Sequence, residues 1–119
     1  MALVLCTGVD SSLVRTRQLI LERAGHVVVP ALDEASLVAA CRQNTFEVAV
    51  VGQTVSAQTK RRIVRLIRER CPAAKVLELY TLSSGKVLDD ADSWLEVLAD
   101  LPQELAARVE ALASSKNDG

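Results

Sequence analysis

Four short runs of contiguous aliphatic residues constrain this chain most. They are Leu3-Val4-Leu5-Cys6, the triple valine within 26–30, residues 47–51 and Lys75–Tyr80. Each is strand-length and mostly apolar rather than alternating, with Glu47, Lys75 and Glu78 as exceptions, as a strand buried on both faces must be. Between them lie stretches with helical spacing. Leu13, Ile20 and Ala24 recur before Gly25, a good helix-ending residue. Asp33 or Glu34 opens a second helix to about Gln43, with Leu37, Val38 and Cys41 inward. A third, over about 58–70, carries Ile63, Leu66 and Ile67 and is stopped by Cys71-Pro72. Pro30 is expected to stop the second strand. Strands alternating with helices imply a parallel sheet covered on both faces, a doubly wound three-layer α/β/α sandwich.

The region after Tyr80 is less regular. Ser83-Ser84-Gly85 is a break, and 86–92 holds at most a turn or two of helix. Residues 93–98 read as a fifth strand, although Ala91, Trp94, Leu95, Leu98 and Leu101 also fit a helical period. Pro102 suits the first turn of a last helix to about Ser114, with Leu105, Val109 and Leu112 inward. A single domain over 1–114 and a disordered tail over 115–119 are expected.

Charge is distributed unevenly. Residues 1–59 hold four basic and five acidic groups, 60–70 six and one, and 71–119 four and nine, so a net charge of −1 conceals a basic helix and an acidic C-terminal part. With no net positive charge and 3% aromatic residues, nucleic-acid binding is disfavoured. No apolar run approaches the roughly 20 residues of a membrane helix, and no signal peptide is visible, so a cytoplasmic protein is expected. Cys6, Cys41 and Cys71 lack metal or redox spacing, and His26 is the one histidine. The cysteines read as three small buried hydrophobes. Were one thiol reactive, Cys6 would be the candidate, at the end of a strand.

On such a fold ligands bind at the carboxyl ends of the strands. There the chain resembles a bacterial response-regulator receiver domain over residues 3–112. The segment Phe46 to Arg68 is similar to the family's strand, loop and helix ending L-L-R-x-I-R, and 102–112 is similar to its last helix. The resemblance implies a flavodoxin-like fold with strand order 2-1-3-4-5 and a role in phosphorelay signal transduction. It also implies five functional groups. The acidic Mg²⁺ pair falls on Gly8 and Val9, with Asp10 beside them. The phospho-acceptor Asp falls on Gly52, the switch hydroxyl on Tyr80 or Thr81, and the Lys on Val97 or Leu98. The carboxylate pair, the acceptor Asp and the Lys are therefore absent from their positions, and a family-type hydroxyl is present only if that position falls on Thr81. A degenerate, non-enzymatic receiver is expected, acting through protein contacts without aspartyl phosphorylation, metal or cofactor.

A different chemistry competes in the first loop. Cys6-Thr-Gly-Val-Asp-Ser-Ser12 resembles the pyrophosphate loop of ATP-pyrophosphatase enzymes, with Gly8, Asp10, Ser11 and Ser12 matching. The alternative is therefore a small nucleotide- or phosphate-binding enzyme or subunit using Gly8 to Ser12. More simply, Asp10, Ser11 or Ser12 caps the first helix.

Two further features suggest an interaction surface. Lys60, Arg61, Arg65 and Arg68 share a helix face. That face is either solvated or a dock for an acidic partner, such as Asp89, Asp90, Asp92, Glu96 and Asp100 of a second copy in a homodimer. Glu78 and Glu96 sit mid-strand, where an unpartnered carboxylate is costly. Only 13 residues separate Tyr80 from Trp94, so the family's fourth helix is expected to be shortened or missing. Glu78, Trp94 and Glu96 would then line an uncovered, working interface.

Overall fold

The computed structural model describes residues 2–97 and 102–115. Five parallel strands form one sheet: β1 (Leu3–Thr7), β2 (Val27–Ala31), β3 (Val48–Val51), β4 (Lys75–Tyr80) and β5 (Ser93–Glu96). Their order is β2-β1-β3-β4-β5, as expected. Four helices cover it: α1 (Ser11–Arg23), α2 (Glu34–Gln43), α3 (Ala57–Arg70) and α4 (Pro102–Ser115).

Local chemistry sets the helix ends. Asp10 caps α1 by accepting from Ser12 N and Leu13 N. At the other end Gly25 adopts φ +94°, and the N–H groups of Gly25 and His26 donate to Glu22 O and Leu21 O, a Schellman closure. Asp33 and Ser36 form a capping box on α2, and Ser56 accepts from Thr59 N on α3.

Strand residues alternate between two cores. Leu5, Ala49, Val51 and Val76 face α2 and α3, where Leu37, Val64 and Ile67 meet them. Val4, Cys6, Val48, Val50, Leu77 and Leu79 face α1 and α4, meeting Val14, Leu21, Leu105 and Val109. Both faces are apolar, which accounts for the continuous aliphatic runs.

Four expectations need correction or completion. Pro30 does not stop β2 but lies within it. Val27 N donates to Ala2 O and Ala31 O accepts from Gly8 N. Residues 27, 29 and 31 therefore face β1, and Pro30 turns its missing N–H outward from an edge strand, where none is needed. Cys41 and Cys71 are not separate thiols: they form a disulfide between α2 and the end of α3, with Cα atoms 5.7 Å apart. The β4–β5 crossover contains no helix, so the fourth family helix is missing. Residues 93–96 are a strand, whereas Leu98 and Asp100 lie outside the described residues, as does 116–119 of the expected tail.

Candidate functional site

The carboxyl edge of the sheet is closed tightly between β1 and β3. Thr7 Oγ1 donates to Val50 O at 2.8 Å, and Gly52 N donates to Thr7 O at 3.2 Å. A Cβ on Gly8 would stand 2.9 Å from Val14 Cγ2, so the loop passes too close to α1 for a side chain. A Cβ on Gly52 would stand 3.1 Å from Arg17 Nη1 and 3.2 Å from Thr7 O. The space beside the acceptor position is therefore occupied by a guanidinium.

Arg17 was absent from the sequence-based candidates. It is only 7% exposed, and its Nη2 donates to Gln53 Oε1, directly after Gly52. The signal was present in helical spacing: Val14, Arg17 and Leu21 are the buried residues of α1, three and four positions apart. Burial pulls the Arg17 pKa below its ordinary value, countered by electrostatic interaction with the Cys6 sulfur, were it ionised, and with the Asp10 carboxylate. Burial also pushes the Cys6 thiol up to about 11. Cys6 is therefore neutral and fully buried, the opposite of a reactive nucleophile.

The remaining edge positions are dispersed. Val9 and Asp10 are exposed, and the Asp10 carboxylate is engaged by its helix cap. Tyr80 and Thr81 are half-buried, with Thr81 Oγ1 among the hydroxyls of Ser83 and Ser84. Val97 N donates to Tyr80 O at 2.8 Å. Among the described residues, no three His, Cys, Asp or Glu side chains are grouped to hold a metal ion. No helix among the described residues is long and apolar enough to cross a membrane.

The expected interface changes most. Glu78 is fully buried, and Lys60 is 1% exposed. Lys60 Nζ donates to Glu78 Oε2 at 2.7 Å and Leu79 O at 2.9 Å. The Glu78 carboxylate also accepts from Val87 N and Leu88 N, each at 2.9 Å in its shorter contact. It thus pins the helix-free crossover onto the sheet. Neither residue belongs to a surface, because α3 turns Lys60 inward with Val64 and Ile67. Leu88 and Ala91 are buried beneath this crossover, and Trp94 Nε1 donates to Leu88 O at 2.9 Å. The face that loss of a helix was expected to uncover is therefore mostly closed.

What remains outside is narrower. Arg68 reaches Asp90 O at 2.7 Å and the Asp92 carboxylate at 3.4 Å within the same chain, so these groups are already engaged. Arg62 pairs with Glu34. Arg61 and Arg65 are exposed and line a groove of about 490 Å³ with Val64, Val87, Leu88 and Asp89. Trp94 and Glu96 are half-buried, and Lys86 Nζ lies 5.2 Å from the Trp94 ring.

No protein-family model matches the chain, and no curated protein does. Solved structures do match along nearly its whole length. A response regulator from Thermotoga maritima is 20% identical with a TM-score of 0.76, covering 97% of this chain and 99% of its own. A CheY-like receiver domain protein from Methanospirillum hungatei JF-1 is 10% identical with a TM-score of 0.82, covering 98% of each chain. A sensor protein from Polaromonas sp. JS666 is 15% identical with a TM-score of 0.80, covering 97% and 98%. The fold is thus the CheY-like flavodoxin fold of receiver domains.

Proposed function

We propose that this chain is a receiver-fold signal-transduction module that works by protein–protein contact, without aspartyl phosphorylation and without catalysis of its own. One observation carries the reading. At the end of β3, where the receiver resemblance puts the acceptor carboxylate, stands Gly52, with Arg17 Nη1 3.1 Å from where its Cβ would be. Neither Val51 nor Gln53 offers a carboxylate in its place. With no side chain at Gly52 and a guanidinium beside it, the position holds no group that can accept a phosphoryl. The module would therefore act on a partner through its surface rather than through a phosphoryl-driven switch.

The partner surface we favour is the exposed part of α3 carrying Arg61 and Arg65, for a segment whose acidic groups meet these arginines while the groove beside them, lined also by Glu69, Asp89 and Asp90, takes its other residues. The pyrophosphate-loop alternative has less support. Ser12 N and Leu13 N, donors that would cradle an anion at the start of α1, donate to Asp10 instead.

Incubation with acetyl phosphate and Mg²⁺ followed by intact and peptide mass spectrometry tests the first half. No phosphoryl adduct is expected, and one mapping to residues 48–56 would overturn the proposal. Affinity capture from the native cell tests the second. A protein that binds wild type is expected to be lost on Arg61→Glu with Arg65→Glu, and unchanged capture would remove this groove from the proposal.

A further inference from the structure

We propose that a cavity between α1 and α4 binds a small amphipathic carboxylate, its head on Arg17 and Gln53 and its apolar body along Ile20, Leu79, Leu95 and Leu105. The cavity has a volume of about 720 Å³. That lies within the roughly 300–1,000 Å³ of small-molecule sites. Its lining runs along α1 from Leu13 past Arg17 to Ala24. Arg17 to Ala24 alone spans about 10 Å of helix.

Arg17 gives the cavity its polarity. Lys60, the other Lys or Arg buried among the described residues, pairs with Glu78. Arg17 is the exception among cations buried to this depth in the described residues: it is 7% exposed, lines the cavity, and has no carboxylate within ion-pair distance. Its one side-chain hydrogen bond among the described residues goes to the neutral Gln53 amide. A guanidinium presents five donors in a planar fork that matches a carboxylate. A buried cation without a counter-ion is costly, so an incoming anion relieves a penalty already present.

Among the described residues, the carboxylates near Arg17 and the cavity do not ion-pair with it: Asp10 acts on Arg17 only from beyond ion-pair distance, and its Oδ1 accepts from Ser12 N and Leu13 N. Leu95 and Val97 pack toward α1 and α4, so strand alternation turns the Glu96 side chain to the opposite face. Glu104 is exposed in the first turn of α4. The rest of the wall is mainly aliphatic, which demands an apolar body on the ligand. An inorganic anion alone would satisfy Arg17 and leave that wall empty.

Titration of the full chain with octanoate, octanol and octylamine, followed by ¹H–¹⁵N NMR, tests this. Octanoate is expected to shift the Arg17 Nε–H and the Leu79 and Leu95 amides, with affinity about tenfold or more above octanol. Arg17→Met keeps the aliphatic stem and should erase the preference for octanoate over octanol. Ala106→Trp fills the cavity from half-buried α4 while leaving Arg17 in place, and should abolish binding of both. Equal affinity for octanoate and octanol, a preference surviving Arg17→Met, or no binding at all would overturn the proposal. None of these results bears on the phosphoryl-transfer or partner-capture tests.

Discussion

Replacing Glu78 with leucine takes the acceptor from three donors at once. Lys60 Nζ loses its counter-ion and keeps only Leu79 O, while Val87 N and Leu88 N lose the carboxylate. Breaking a buried ion pair on one side costs about 3–5 kcal/mol. Each orphaned amide adds about 1–3 kcal/mol. Burying the leucine returns about 1.5–3 kcal/mol. The balance is a loss of about 2–10 kcal/mol, comparable with the roughly 5–15 kcal/mol that holds a domain together. Lys60→Met should cost less, because the carboxylate keeps both backbone donors. Lys60→Met combined with Glu78→Gln removes both charges yet leaves an amide oxygen for Val87 and Leu88. That double variant should be more stable than the sum of its singles by over about 1 kcal/mol. Urea unfolding read by circular dichroism and by fluorescence of Trp94, the sole tryptophan, measures wild type, Glu78→Leu, the two singles Lys60→Met and Glu78→Gln, and their double. Trp94 reports on the crossover through its bond to Leu88 O. A Glu78→Leu protein within about 1 kcal/mol of wild type would refute the assignment of this carboxylate as the crossover's anchor.

Alkylation of the natively purified chain should label one thiol, Cys6, and only after unfolding, since Cys41 and Cys71 are paired and Cys6 is buried. Reduction should then cost about 3.6 kcal/mol from the 30-residue separation of the pair; three labelled thiols before reduction would contradict the pairing. Asp33 is held below the ordinary carboxylate range by the Ser36 backbone and side-chain hydrogen bonds. Because its folded pKa is the lower one, its contribution is complete above the unfolded value and disappears as pH falls through the folded one. The stability gap between wild type and Asp33→Ala should therefore narrow from about pH 6 to pH 2, and a constant gap would show that the carboxylate charge is not involved.

Where sequence and structure agree, short-range chemistry is decisive. Gly25, Asp10, Asp33 and the aliphatic strands act through their neighbours or through burial on two faces, and both leave periodic marks. The departures arise from contacts between residues distant along the chain. Lys60 looked like part of a charged helix face because its partner, Glu78, lies 18 residues away on a strand. Alone, Lys60 reads as surface charge and Glu78 as an unpaired carboxylate; together each satisfies the other. Arg17 escaped notice because a long basic side chain on an apolar stripe usually snorkels to water. Here the missing side chain at Gly52 leaves it room to stay inside. The pairing of Cys41 with Cys71 likewise depends on how α2 and α3 pack, which spacing alone does not determine.

Pro30 has a consequence for assembly. On the β2 edge it offers no donor, so an incoming strand would find a gap in the ladder. On the opposite edge Arg108 Nη1 occupies Trp94 O at 2.7 Å and Ser93 Oγ at 3.0 Å. Both borders of the sheet are thus blunted against strand addition. Higher-order association of this chain, and any fibre formation under stress, has to begin with the helices or with partial unfolding of a border strand. Crosslinks in a native complex should accordingly map to helix faces and leave the β2 and β5 borders unmarked.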